Sequence, residues 1–148
     1  MNEISPGPLD ERVVALLSRR VATCVVATVD ESGDPWTTPV NIITSISGSI
    51  IRMALERRST ALANIQRRGR VMIAVLDEGN IAVGISGRAA VVRPMMESNP
   101  LMAMVEMEVD GVKDDTWPDL VVCQGIRTRP RHESVPLAFR NVFAELKA

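Results

Sequence analysis

The feature that most limits what this chain can fold into is its punctuation. Across residues 21–92, short runs of β-branched and aliphatic residues are cut by tight turns, with one helical stretch between them. Residues 21–29 end at Asp30-Glu31-Ser32-Gly33-Asp34-Pro35, where Gly33 is free to take a positive φ. Residues 36–46 are the next expected strand. Pro39 inside it cannot donate to a ladder, which marks an edge, a bulge or an opening in the pairing. Ser47-Gly48-Ser49 leads into residues 50–55, completing an expected three-strand meander. Residues 70–76 and 81–92 follow, joined by Asp77-Glu78-Gly79-Asn80; Gly84 and Gly87 in the second predict a bulge or a close approach to its backbone.

Helical periods frame these strands. In residues 9–20, Leu9, Val13, Leu16 and Leu17 share one face, with Asp10 and Glu11 at the start and Arg19 and Arg20 at the end, as the helix dipole favours. Residues 59–68 open on Ser59, repeat apolar residues at Ala61, Leu62 and Ile65, and stop at Gly69. Pro100 and the nearby methionines predict a helix over residues 99–108, with the methionines as gap-filling core. A polar loop over 110–119, a last strand over 120–128 and a helix over 136–146 complete the chain. The expectation is one domain over residues 1–148, mainly β: a six-stranded antiparallel split β-barrel with a few short helices, since closure removes exposed edges.

Composition excludes several classes. A 46% apolar share with a net charge of −1 rules out disorder and argues against a dedicated nucleic-acid binder. The longest near-apolar run, residues 21–29, is far short of the ~20 residues a membrane-spanning helix needs. The first residues show neither a basic nor an apolar segment of the secretory kind, so the expectation is a soluble cytoplasmic protein without membrane or nucleic-acid partners. Cys24 and Cys123 sit in apolar runs and read as two buried thiols.

Motifs for hydrolytic or metal chemistry are missing. Gly84-Ile85-Ser86-Gly87 lacks the spacing of a nucleophile elbow, and one histidine, His132, with two distant cysteines is a poor metal set. Fifteen of the 17 basic residues are arginine, whose planar fork suits carboxylate or phosphate. Arg57-Arg58-Ser59-Thr60 lies where a strand hands over to a helix. Two readings stand there: a phosphate site made by guanidinium groups, hydroxyls and a helix N-terminus, or a plain Ser59 cap flanked by solvated arginines. Arg67, Arg68 and Arg70 read as solvated charges at the far end of that helix.

The order of these segments resembles a known family. Ala27-Thr28-Val29-Asp30-Glu31-Ser32-Gly33-Asp34-Pro35, followed by Thr38-Pro39-Val40, is similar to the opening hairpin of the pyridoxamine 5′-phosphate oxidase-like FMN-binding split barrels. Arg58-Ser59-Thr60, Asn64-Ile65, Arg70-Val71-Met72-Ile73 and Gly87-Arg88-Ala89 continue the likeness in order, over residues 9–93. The resemblance implies a homodimer with FMN, or the deazaflavin F420, at the subunit interface. It places the flavin ring along Thr38, Pro39, Val40 and Asn41, and the phosphate near Arg57, Arg58, Ser59 and Thr60, with Asn64 on the same helix. It implies oxidoreduction of a small-molecule substrate, with the cofactor carrying the redox chemistry.

Departures from the family pattern shape that expectation. Ala61 stands where the family often has a phosphate-binding lysine, and Ala54-Leu55 replaces an aromatic–threonine pair. The C-terminal Arg-x-Trp segment is replaced by Ile126-Arg127-Thr128-Arg129-Pro130-Arg131-His132, which points away from pyridoxamine phosphate as substrate. Two alternatives remain open. One is a non-catalytic module for haem or another flat ligand, with His132 as the sole axial candidate. The other is a regulatory protein turning Arg127, Arg129, Arg131 and Arg140 toward an acidic partner.

Overall fold

The computed structural model describes residues 3–19 and 22–148. Met1, Asn2, Arg20 and Val21 lie outside the described residues, and with them the expected end of the first helix and start of the first strand. The elements are β1 (Ser5–Pro6), α1 (Glu11–Arg19), β2 (Cys24–Val29), β3 (Pro35–Val40), β4 (Ile43–Ser45), β5 (Ile50–Glu56), α2 (Thr60–Arg68), β6 (Arg70–Asp77), β7 (Ile81–Arg93), β8 (Met102–Asp114) and α3 (Val135–Lys147).

All ladders are antiparallel, and the strands run in the order β3-β2-β6-β7-β8-β5-β4, with the two-residue β1 added to β8. The terminal strands of that order, β3 and β4, are joined by only Asn41 and Ile42. A link that short spans at most about 11 Å between flanking Cα atoms, so the sheet must curl until its two edges nearly meet. Ala54 N–H donates to the Ile42 carbonyl at 2.9 Å and pins the corner. The result is a split barrel, open along the seam where β3 leaves β4.

The strand count differs from the expected six. The segment expected as one strand over 36–46 breaks at Asn41–Ile42; its first part pairs with β2 and its second with β5, so the three-strand meander is replaced by a partner switch. The helix expected over 99–108 is instead β8, an interior strand between β7 and β5, and it also takes the first part of the loop expected over 110–119. Val105, Glu106, Met107, Glu108, Val109 and Asp110 alternate apolar and acidic, and pairing with both β5 and β7 overrides the helix signal of Pro100. The strand expected over 120–128 forms no ladder beyond one bridge, Trp117 with Leu120, because β8 already fills the place between β7 and β5. Residues 121–130 form neither helix nor strand.

Other signals hold. Ser59 caps α2, its hydroxyl accepting from Leu62 N–H at 3.2 Å, and Gly69 closes the helix at φ 72°. Pro39 lies on an edge strand, and a register shift between Ser86 and Gly87 marks a β-bulge. Met96, Met104 and Met107 are buried, whereas Met95 is exposed.

The main core fills the barrel, with α1 contributing Val13, Leu16 and Leu17. A second core lies under α3, where Val142 and Leu146 pack on Ile42, Ala54, Met96 and Met104. Arg52 donates to the carbonyls of Leu146 and Ala148 at 2.8 and 3.1 Å, placing a cation at the negative end of α3.

The two thiols part company: Cys24 is buried, but Cys123 is exposed, which corrects its expected burial. Cys123 lies in residues 121–130, which join no ladder of the sheet. Burial, with the nearby Asp77 charge adding to it, pushes the Cys24 thiol up to about 12. A thiol-specific chromogenic reagent is therefore expected to titrate Cys123 alone in the native protein and both cysteines after denaturation. Equal native reactivity of both thiols would contradict this burial.

Candidate functional site

The seam gathers most of the residues singled out by sequence. In β3, Trp36, Thr38 and Val40 pair with Thr28, Val26 and Cys24 and so face inward with them; Pro35, Thr37 and Pro39 face outward with Val29, Ala27 and Val25. Only Val40 is buried, so β3 presents both faces over most of its length. Asn41 follows at the corner, exposed, its side-chain oxygen accepting from the Thr23 hydroxyl at 2.9 Å.

Across the seam, β5 hands over to α2 through Arg57 and Arg58. Arg57 is turned aside: its N–H donates to the Leu101 carbonyl at 2.9 Å and its guanidinium to the Pro100 carbonyl at 3.3 Å. Arg58 is exposed, and Thr60 is exposed at the first position of α2. The first N–H groups of a helix, here at Thr60 and Ala61, have no partner within it. Ser59 accepts one hydrogen bond from the helix, which leaves its own hydroxyl proton available to a ligand.

Asn64 sits differently from the others. It is buried, donating to the Thr28 hydroxyl at 3.0 Å and accepting from Arg67 at 3.3 Å. Its amide fastens α2 to the inner side of β2, so it positions the helix start instead of facing the opening.

The outer side of the barrel at this seam is apolar. Val25, Ala27, Met72 and Ala74 are cross-strand neighbours on one face of β2 and β6, and Leu76 extends the stripe. α2 reaches β2 from the inner side and α3 lies over β4 and β5, so no helix covers this stripe. Leu76 is half exposed there, at 50%.

A separate cavity of about 800 Å³ opens between the end of α1, residues 126–130 and α3. Of the residues the sequence marked for a cofactor, Asn41 alone lines it. Its wall at residues 121–130 is held by the β6–β7 turn: Asn80 N–H donates to the Val122 carbonyl at 3.1 Å, and Val122 N–H to the Asn80 side chain at 3.0 Å. Arg127 adds an ion pair at 3.3 Å to the buried Asp77 carboxylate. Because residues 126–131 form no strand, Arg127, Arg129 and Arg131 do not share a strand face.

Sequence reading passed over two features. Trp36 is 43% exposed on the inner side of β3, and it is one of only two tryptophans in the chain, a signal that its place beside a turn could have raised. The cavity had no local signal, since distant segments build it. His132 is exposed, and no cluster of three or more His, Cys, Asp or Glu side chains suited to a metal ion occurs among the described residues. No helix among the described residues is long and apolar enough to cross a membrane.

Comparison with known proteins adds to this geometry. The profile of a family described as Pyridoxamine 5′-phosphate oxidase matches residues 9–123. No protein with a curated description matches the chain. Among solved structures, a candidate pyridoxamine 5′-phosphate oxidase from Lactobacillus delbrueckii is similar with a TM-score of 0.63 at 24% identity, over 76% of this chain and 98% of that one. An FMN-binding protein from Syntrophomonas wolfei gives 0.55 at 14% identity, over 72% of this chain and 89% of that one. An F420 reductase gives 0.56 at 14% identity, over 66% of this chain and 94% of that one. At these identities the likeness is one of fold.

Proposed function

Since the chain belongs to the pyridoxamine 5′-phosphate oxidase family, matched over residues 9–123, we propose that it is a homodimeric FMN-binding oxidoreductase acting on a small molecule. The observation that carries this reading is the seam. An edge strand, largely exposed up to Pro39 and followed by the exposed Asn41, runs beside a helix start where Arg58, the Thr60 hydroxyl, the Ser59 hydroxyl proton and the first N–H groups are available.

The residues present fit a flavin phosphate without the lysine that Ala61 replaces. Arg58 supplies charge, the Thr60 and Ala61 N–H groups supply donors along the helix dipole, and Ser59 and Thr60 supply hydroxyls. Asn64 holds this helix start on Thr28, and the Pro100 carbonyl keeps Arg57 at the rim. β3 pairs with β2 along one edge only, so alternate backbone groups between Thr38 and Asn41 are left on its other edge to meet a flat ring. FMN when bound supplies the electron transfer; the chain binds, orients and shields. The apolar stripe of Val25, Ala27, Met72, Ala74 and Leu76 supports a second copy covering the seam, because an uncovered sheet face of this kind invites association.

A titration tests this reading. FMN is expected to quench Trp36 fluorescence and to sediment with a species of twice the chain mass. Replacing Arg58 by Ala is expected to weaken FMN by about tenfold, the worth of one charge-assisted hydrogen bond. F420 serves as the parallel ligand on the same strand. Protein that stays colourless with excess FMN and with excess F420 would remove the redox assignment.

A further inference from the structure

The cavity between the end of α1, residues 126–130 and α3 carries a second inference, independent of the flavin reading. Its charge is one-sided: Arg19, Arg127, Arg129, Arg140 and Lys147 line it, and no Asp or Glu does. Arg127 is spent on Asp77, and Lys147 donates to the Ser18 carbonyl at 3.4 Å. Arg19, Arg129 and Arg140 have no ion-pair partner among the described residues. Three guanidinium groups left without counter-charge around one opening repel one another, and an anion between them removes that cost.

The rest of the wall is apolar. Phe139 and Phe143 of α3 face Leu17, Ile126 and Pro130. The two phenylalanines are partly buried against the second core, so they form a fixed surface. The volume, about 800 Å³, suits a small organic ligand. Thr44, another lining residue, is fully buried, and among the described residues its hydroxyl is the one buried side-chain polar atom without a hydrogen-bond partner. That hydroxyl lies behind the wall and out of a ligand's reach, so the arginines and the phenylalanine rings carry the site.

We propose that this cavity is a binding site for a flat aromatic anion, its phosphate or carboxylate held by Arg129 and Arg140 and its ring laid on Phe139 and Phe143. Charge alone or ring alone engages half of the wall. A molecule with both engages all of it.

The probe is 1-naphthyl phosphate, followed by calorimetry on the full chain, with inorganic phosphate and 1-naphthol as the single-feature controls. Both controls are expected to bind at least about tenfold more weakly than the probe. The exposed pair Arg129→Gln with Arg140→Gln is expected to weaken the probe by about tenfold or more, and added salt to weaken it in the wild type. Arg68→Gln with Arg88→Gln removes the same charge elsewhere on the surface and is expected to leave binding unchanged. A matching circular dichroism spectrum confirms that each variant is folded. The proposal fails if both double variants lose affinity equally, if neither does, or if the wild type shows no binding at about 5 mM probe.

Discussion

Replacing Gly87 by Ala is expected to cost about 3 kcal/mol and to lower the melting temperature by about 10 °C. Gly87 lies at the bulge between β7 and β8, where a Cβ would run into the Glu108 carbonyl oxygen and, at 2.7 Å, the Met107 methyl. A methionine end can swing aside, but a carbonyl of β8, which is paired on both sides, cannot move without disturbing its ladders. The backbone φ of Gly87 is ordinary, so the cost comes from space alone. Gly33→Ala is the useful contrast: nothing lies near its Cβ, but φ is +88°, so that variant loses only the modest strain of the left-handed region. Urea unfolding of both variants measures the difference. A Gly87→Ala midpoint equal to the wild type would mean that β7 and β8 are not in van der Waals contact at the bulge.

That bulge also shows what could be read from the chain. Gly84 and Gly87 inside a β-branched run announced a close approach, and the Ser59 cap with Gly69 announced α2 to within a residue. These are local signals, in which a few neighbouring residues carry the whole physical reason. β8 is the opposite case. Its alternation from Val105 to Asp110 was present in the sequence, but Pro100 and the methionines offered an equally local helix, and only the distant partners β5 and β7 decide between them. Residues 120–128 show the same reason in reverse: an apolar run looks like a strand, but only distant segments decide whether it finds a partner, and β8 already lies between β7 and β5.

The candidate site divides along the same line. Residues 38–41 and 57–60 lie on either side of the seam because β3 and β4 are one bent path that serves both edges, and the hairpin turns in the sequence already bring these segments close. Asn64 could not be assigned from its position alone. Whether an asparagine on a helix points to a ligand or to a buried threonine depends on the face that meets β2, and here it meets Thr28. The cavity was out of reach, since Arg19, Arg129 and Arg140 come from three separate segments.

Glu145→Gln is expected to destabilise the protein by about 2 kcal/mol at neutral pH, and the loss should fade in acid. The carboxylate accepts from Ser98 N–H at 2.7 Å, Glu97 N–H at 3.1 Å and the Arg93 guanidinium at 2.7 Å, tying residues 93–98 to α3. Desolvation pushes this carboxyl upward, but the bonds from Ser98, Arg93 and Glu97 outweigh it and hold it down to about 2, against an ordinary 4.5. A carboxyl depressed on folding contributes stability above its unfolded value and loses it as pH falls through the folded one. The wild type should therefore lose this contribution progressively between pH 4.5 and about 2, while the glutamine variant, which never had it, stays flat in that window. Urea midpoints of the two proteins at pH 7 and pH 3 decide the matter: a gap that does not narrow at pH 3 would exclude ionised Glu145 as its source. The consequence reaches the seam, because residues 100 and 101 of the same loop accept from Arg57. Loosening the loop frees that guanidinium from the Pro100 carbonyl, so if the proposed FMN site is real the variant should alter FMN affinity through Arg57 while leaving Arg58 in place.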